Sequence, residues 1–463
     1  MRVILHGFGS FPVFFYHVIQ CARRINTSIE WAIILTSDHY ESIFVDLLGP
    51  DKVMVWNQTA KSSGAQDVQV TYPGSLYQDI EAEKRTFKSL SAEKKYARAL
   101  GMYGQVRELM LRFLPTHALV SQVEGFDGKA FIAAARELKV EVVVPTSCRN
   151  IGGIYFSRDD VETLPPYADA SDELCRTLAQ GFLHSFRTEP TAARWLPQLL
   201  DENLLEPFQK PFLSRLQSSC RRWLMTPGGF QCDFLRASLL NNMPQIRNLI
   251  WSMRRRKNEK LFNLSGLDEL PEKYIYYPLQ YSPESSINTP APYFLDQFRA
   301  IDAIRFAMPS DYTLVVKEHP ACILLRDSET AKRLLKTAGV KVIYYKTPSI
   351  ELVKRAAVTI SVTGTATLEA HLLGRPALVL GPGISAQLLG TLTTIDELPQ
   401  KIRQCIRSEI KDEYVRSSVA RLYSVRHEVG FGTPGMPNEP ILRQGNVERF
   451  TAAFIEHCER LAP

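Results

Sequence analysis

Ten short runs of nearly continuous apolar residues, separated by stretches of helical spacing, constrain this chain more than any other feature. Five lie early, "RVILHG", "EWAIILTS", "DKVMVWN", "HALVSQ" and "VEVVVPTS", and five late, "YIYYPLQ", "TLVVKEHP", "VKVIYYK", "VTISVTGT" and "RPALVLG". A strand with one wet face alternates apolar and polar residues. These runs do not, so both faces of their sheets must be covered. The intervening stretches, among them "ESIFVDLLG", "GKAFIAAARELK", "ETAKRLLKTAG", "SIELVKRAA" and "ATLEAHLLG", carry the spacing of helices that can do the covering. The expected class is α/β, with parallel sheets wrapped by helices on both sides.

At 463 residues the chain exceeds what one hydrophobic core usually serves, and the runs fall into two groups. We therefore expect an α/β unit over 1–160, a helix-rich connecting segment over 161–262 and a second α/β unit over 263–440. A cleft is expected between the two units. The last part, 441–463, contains "NVERFTAAFIEHCERL", one more amphipathic helix, free to pack back on the first unit. A long polar helical stretch over roughly 78–113 leads to the fourth run. The connecting segment ends in Arg254, Arg255, Arg256 and Lys257, just after Ile250 and Trp251. That pattern suits a helix lying on a membrane surface, and equally a solvated helix end.

Composition excludes several classes. Hydrophobic residues are 45% and charged residues 22%, ordinary for a globular chain. The net charge of +6 is too small for its length to argue for nucleic acid. The eight cysteines form no C-x-x-C pair, which leaves zinc ribbons and thiol redox sites unsupported and fits a reduced, cytoplasmic protein. The opening "MRVILHGFGSFPVFFYHVIQCARR" reads as strand, turn and helix rather than as a leader, because His6, Gly7, Gly9 and Pro12 interrupt its apolar character. No run reaches the roughly 18 apolar residues of a spanning helix. G-x-x-x-x-G-K-[ST] and H-E-x-x-H are missing from the sequence, and "HGFGSF" near the start is not G-x-G-x-x-G, so an ATPase, a zinc protease and a nicotinamide dehydrogenase lack support.

Ligands of open α/β sheets bind beyond the carboxyl ends of strands, so strands ending in polar residues nominate the chemistry. Four do. "HALVSQ" runs into "VEGFDGKAF", where Glu124 can serve as an acid or base and Asp127 as that or as a helix cap. "YIYYPLQYSPESSI" leaves Gln280, Ser282, Glu284, Ser285 and Ser286 on a loop stiffened by Pro278 and Pro283, which is either a nucleophile's setting or an ordinary polar loop. "TLVVKEHP" places Lys317 and His319 two apart, on one side of an extended segment, facing an anion or merely marking the surface. "TISVTGTATLEAHLLGRP" puts Thr363-Gly364-Thr365 at a helix start, where phosphate or a capping hydroxyl would suit, with Glu369 one helical turn on.

In their order and spacing, "YPLQYSPESSI", "VVKEHP" and "TGTATLEAHLLGRPALVLG" resemble the bacterial capsule-polysaccharide synthesis family, which includes transferases of β-linked Kdo, an acidic eight-carbon sugar. The resemblance covers roughly 274–382; the earlier half matches only in its α/β rhythm and a carboxylate-glycine turn. It implies a GT-B fold of two Rossmann-like domains, the first taking the acceptor and the second a CMP-activated donor. It implies that His319, Lys317, Thr363, Gly364, Thr365 and Gln280 serve the donor, with Glu369 toward the ribose. Glu284 falls where the family's retaining members carry an aspartate nucleophile, and Glu124 would be the acid/base. Glutamate in place of aspartate departs from the pattern and leaves stereochemistry and donor sugar open. No metal is expected, and the partners are the nucleotide sugar, a glycan or glycolipid acceptor and the inner face of the membrane. Two other readings stay open: a nucleotide-sugar epimerase or CDP-polyol phosphotransferase of the cell envelope, and a glycan-binding assembly protein without turnover.

Overall fold

The computed structural model describes residues 1–56, 71–83, 87, 90–123, 125–190, 253, 256–260, 266–281, 285–322, 326, 328–432, 440–442 and 444–461. The first unit is a six-stranded sheet in the order β3-β2-β1-β4-β5-β6. Its strands are β1 (Arg2–Gly7), β2 (Glu30–Leu35), β3 (Val53–Val55), β4 (His117–Val120), β5 (Glu141–Ser147) and β6 (Ile154–Ser157). The pairings through β5 are parallel, but β6 runs antiparallel to β5 and departs from the wholly parallel expectation. Gly152 and Gly153, with φ of 80° and 78°, make the reversal possible.

The second unit has five parallel strands in the order β11-β10-β7-β8-β9. They are β7 (Tyr274–Pro278), β8 (Thr313–Lys317), β9 (Val340–Ile343), β10 (Val358–Ser361) and β11 (Ala377–Val379). Counted within each unit, the parallel strands wind alike: a central strand, two more to one side, then two to the other, with antiparallel β6 added at the edge of the first sheet. The architecture is thus a pair of Rossmann-like units, as in GT-B folds. In each the chain reverses its winding direction beside the central strand, between β1 and β4 and between β7 and β10, and ligands of such sheets bind there.

The apolar runs form interior strands because both faces are used. Val3 and Leu5 of β1 enter one core and Ile4 the other. In β7, Ile275 and Tyr277 face one core and Tyr274 and Tyr276 the other. A further core joins the units, with Cys148, Ile151 and Tyr155 of the first against Leu368, Leu372 and Ile384 of the second. The helix Gln444–Leu461 lies on the first unit's helix Phe11–Ile25. Phe450 meets Phe14 edge to face at 5.0 Å, and Phe454, Ile455 and Cys458 complete the core above β1.

The stretch expected as one polar helix over 78–113 is two, Leu76–Ala82 and Ala92–Phe113. The first ends where buried Glu83 turns inward, its carboxylate accepting the Phe126 N–H at 2.9 Å. Of the connecting segment, the helix Glu173–Thr188 is described, and it packs through Leu183 and Phe186 against Val415 and Val419. Arg254 and Arg255 lie outside the described residues, while Arg256 and Lys257 are exposed. Among the described residues no helix is long and apolar enough to cross a membrane.

Candidate functional site

Two strand ends meet at the second unit's crossing point. Gln280 follows β7 and Thr363-Gly364-Thr365 follows β10. A Cβ built on Gly364 would lie 2.7 Å from Gln280 Nε2, so the glycine lets the loops touch. Its φ of −70° and ψ of 154° suit any residue, and space alone requires glycine. Gln280 is fixed by Gln297, whose Oε1 accepts the Gln280 N–H at 2.6 Å and whose Nε2 donates to Gln280 O at 3.0 Å. Gly364 O accepts from Thr367 Oγ1 at 3.0 Å and from Ser361 Oγ at 3.2 Å, folding the turn into the helix Thr365–Leu372. No side chain caps that helix from Gly364, and Thr363 Oγ1 is a buried hydroxyl with no hydrogen-bond partner. Buried hydroxyls are nearly always bonded, so this one is suited to a ligand oxygen.

At the end of β8, Lys317, Glu318 and His319 diverge. Lys317 is buried, and its Nζ donates to Thr347 O at 2.9 Å and Tyr345 O at 3.4 Å. Burial pulls its ammonium down to about 8, against the pull of Glu369 and Glu318. Glu318 is fully buried and paired with Arg326, Nε to Oε2 at 2.8 Å and Nη2 to Oε1 at 3.0 Å. The partly exposed His319 has its ring 5.5 Å from that of Tyr281. Burial of the imidazole, aided by Lys317 and Arg326, pushes it down to about 4, so it is neutral at neutral pH. Lys317 and His319 therefore do not act as two cations side by side. One is a buried charge behind the strand end, the other a neutral ring at the surface of the loop.

Glu369 lies on the same helix as Thr365 and is buried. Burial raises its carboxyl to about 7 against the opposing pull of Lys317 and a hydrogen bond from Asn150. Asn150 belongs to the first unit, in the turn between β5 and β6, so this bond closes the cleft. Glu162 makes a second crossing, its Oε2 accepting the Ile384 N–H at 2.9 Å.

Glu124 and Glu284 lie outside the described residues. The chain beside each is described, and the two places are joined: Thr289 Oγ1 donates to Val123 O at 3.2 Å. Lys129 Nζ donates to Thr289 O at 3.2 Å, and Asn288 Nδ2 to Ala82 O at 3.3 Å. Asp127 does not cap its helix. Gly125, at φ 100°, stands at the cap position, Glu83 takes the Phe126 N–H, and Asp127 Oδ2 sits 3.3 Å from Nε2 of buried His6.

Sequence reasoning missed Asn150 and Arg326. Arg326 carries no motif, and only the hairpin of the other unit brings Asn150 to Glu369. Among the described residues no group of three or more His, Cys, Asp or Glu is arranged to hold a metal. A depression of ≈ 330 Å³ between helices 173–188 and 412–423 is lined by Gln180, His184, Arg187 and Arg416. Arg187 Nε donates to Leu372 O there, at the far end of the helix that begins at Thr365, so this hollow is not the site.

Residues 246–388 match the model of a family described as capsule polysaccharide biosynthesis protein. The match takes in all five strands of the second sheet. The matched stretch contains every described donor-site residue named from the sequence, which bears out the resemblance at family level. No curated protein matches the chain. Among solved structures it is similar to the Thermosulfurimonas dismutans KpsC β-Kdo 2,7 transferase, at 15% identity over 99% of both chains with a TM-score of 0.36. The β-Kdo 2,4 transferase of the same KpsC matches at 12% identity over 66% of this chain and 79% of that one, TM-score 0.30. The UDP-GlcNAc 2-epimerase of Neisseria meningitidis, bound to UDP-GlcNAc, matches at 13% identity over 99% and 100%, TM-score 0.26. Likenesses this distant add nothing to the topology described above.

Proposed function

We propose that the chain is a glycosyltransferase of capsule polysaccharide synthesis that moves Kdo from CMP-Kdo to a surface-glycan acceptor. The observation that carries this reading is the meeting of Gln280, the Thr363-Gly364-Thr365 turn and the His319 loop at the crossing point of the sheet that the family model matches. The turn offers the N–H groups of a helix start and the unpartnered Thr363 hydroxyl to the donor phosphate. His319, neutral until an anion arrives, donates to the same phosphate as the C–O bond breaks, and buried Lys317 supplies charge from behind. Glu369 reaches the ribose by exchanging Asn150 for sugar hydroxyls.

Glu284 is the nucleophile of this proposal and Glu124 the acid/base, one from each unit. With two carboxylates on opposite faces of the sugar, the transfer retains configuration through a glycosyl-enzyme ester. Peripheral contact with the inner membrane face, through the basic run at 254–257, would bring a lipid-linked acceptor to the cleft.

The test is calorimetric binding of CMP, CDP and UDP to the wild type and to His319→Ala. Preferential CMP binding, weakened in the variant, supports the reading. A preference for UDP would turn it toward an epimerase, and a preference for CDP toward a phosphotransferase. If no nucleotide binds, the donor site as described is wrong and the glycan-binding alternative gains.

A further inference from the structure

The side chain of Arg326 bonds the loops that follow β7 and β8 at the candidate donor site. Its guanidinium grips the fully buried Glu318 through two bonds, Nε to Oε2 at 2.8 Å and Nη2 to Oε1 at 3.0 Å. The same Nη2 reaches Gln280 O, beyond β7, at 3.2 Å. Glu318 in turn accepts the His319 N–H on Oε1 at 2.7 Å. The main chain closes the ring: Cys322 N–H donates to His319 O, and Arg326 N–H to Cys322 O, both at 2.8 Å. From outside, Asn258, itself buried, donates to Arg326 O at 2.9 Å.

We propose that Glu318 and Arg326 are positioning residues that set the His319 amide and ring in fixed register with Gln280, and so shape the phosphate-binding pocket. The proposal rests on the donor-site reading above but assigns parts to residues that reading does not use. A buried ion pair is weak evidence of stabilisation, since an apolar pair of similar volume often serves as well. Here the charges do something an apolar pair cannot. The carboxylate orients a main-chain N–H beside the histidine, and the planar fork spans from one loop to the other. Lysine keeps the charge but offers no fork, so Arg326→Lys is not a conservative change at this place.

The experiment compares the wild type with Arg326→Lys and with the double variant Glu318→Leu, Arg326→Met, which replaces the pair by apolar groups. It measures thermal midpoint, hydrogen–deuterium exchange of the 318–322 amides and affinity for CMP. The expected result is a double variant that folds with a midpoint within a few degrees of the wild type. Its exchange over 318–322 should be about tenfold faster or more, and its CMP dissociation constant raised about tenfold or more, as should that of Arg326→Lys. A double variant that folds normally with wild-type exchange and wild-type CMP affinity overturns the proposal, because the pair would then be packing alone. If the double variant does not fold, Arg326→Lys decides by the same two readouts. If the wild type binds no CMP, the nucleotide reading has failed, and exchange alone judges the clamp.

Discussion

Replacing Gly364 by alanine separates the donor site from the stability of the fold. The backbone at 364 is already in a region open to alanine, so no strain enters there. Shortening the choices of the unfolded chain gains about 0.4–1 kcal/mol. Against that, glycine is a better helix N-cap than alanine by roughly 0.5 kcal/mol. The new methyl would stand 2.7 Å from Gln280 Nε2 and 3.0 Å from its Oε1, closer than atoms pack, so the amide must swing away. It then gives up its long bond to Pro278 O, 3.4 Å, worth about 0.5–1.5 kcal/mol. These contributions offset one another in part, leaving a net loss of about 0–1.6 kcal/mol and a midpoint lower by at most a few degrees. Binding should not escape so lightly, because the methyl and the displaced amide occupy the space where the phosphate is placed. CMP affinity measured by calorimetry should fall about tenfold or more, about 1.4 kcal/mol. Wild-type CMP affinity in a folded Gly364→Ala protein would refute the placement of the phosphate against this turn.

Four more outcomes are expected. Gly101 lies inside the helix Ala92–Phe113 with nothing within 4 Å of a built Cβ, so Gly101→Ala should stabilise by about 0.5–1 kcal/mol in urea titration. Gly128→Ala should do the opposite, by about 1–3 kcal/mol, because its Cβ would meet the Gln122 carbonyl oxygen at 2.5 Å and main chain cannot step aside cheaply. His457 is buried and held down to about 3, below its unfolded value near 6.5. The stability it permits is therefore complete above about pH 6.5 and is lost as pH falls toward 3, by about 1.4 kcal/mol per pH unit. Urea midpoints at pH 7.5 and 5.5 should show that loss, and His457→Phe should reduce it; an unchanged pH dependence in the variant would count against the assignment. CMP affinity should decline between about pH 7 and 8.5, since Glu369 gains charge near 7 and Lys317 loses it near 8. Lys317→Met should flatten the upper part of that decline, and a curve identical to wild type would remove Lys317 from the site.

The sheets were legible because their strands are buried on both faces: Val3, Ile4 and Leu5 read as one apolar run, and the structure divides them between two cores. β6 was not, since "IYFS" is too short to announce itself and depends on the Gly152-Gly153 reversal. Within the site, strand ends and helix starts could be found along the chain, which is why Gln280, His319 and Thr363 came forward. What stayed hidden were relations between distant residues. Glu318 carried no reading of its own, because its partner Arg326 reaches it only by folding back. Asn150 had no neighbours in sequence to connect it with Glu369. Asp127 was weighed as a cap, because nothing local shows that Glu83, from another helix, already serves the first N–H.

The helix Gln444–Leu461 has a consequence for the order in which the protein is completed. Domains generally fold in the order they are synthesised. Here Phe450, Phe454 and Ile455 fill the outer face of the earliest-made sheet, so that unit must wait through synthesis of the entire second one before its core can close. During that wait Phe14, Phe15 and Val18 have no cover from this helix, leaving a sticky surface on the nascent chain. The unit made first is finished last, and slow elongation or premature release late in the message would strand it half-built.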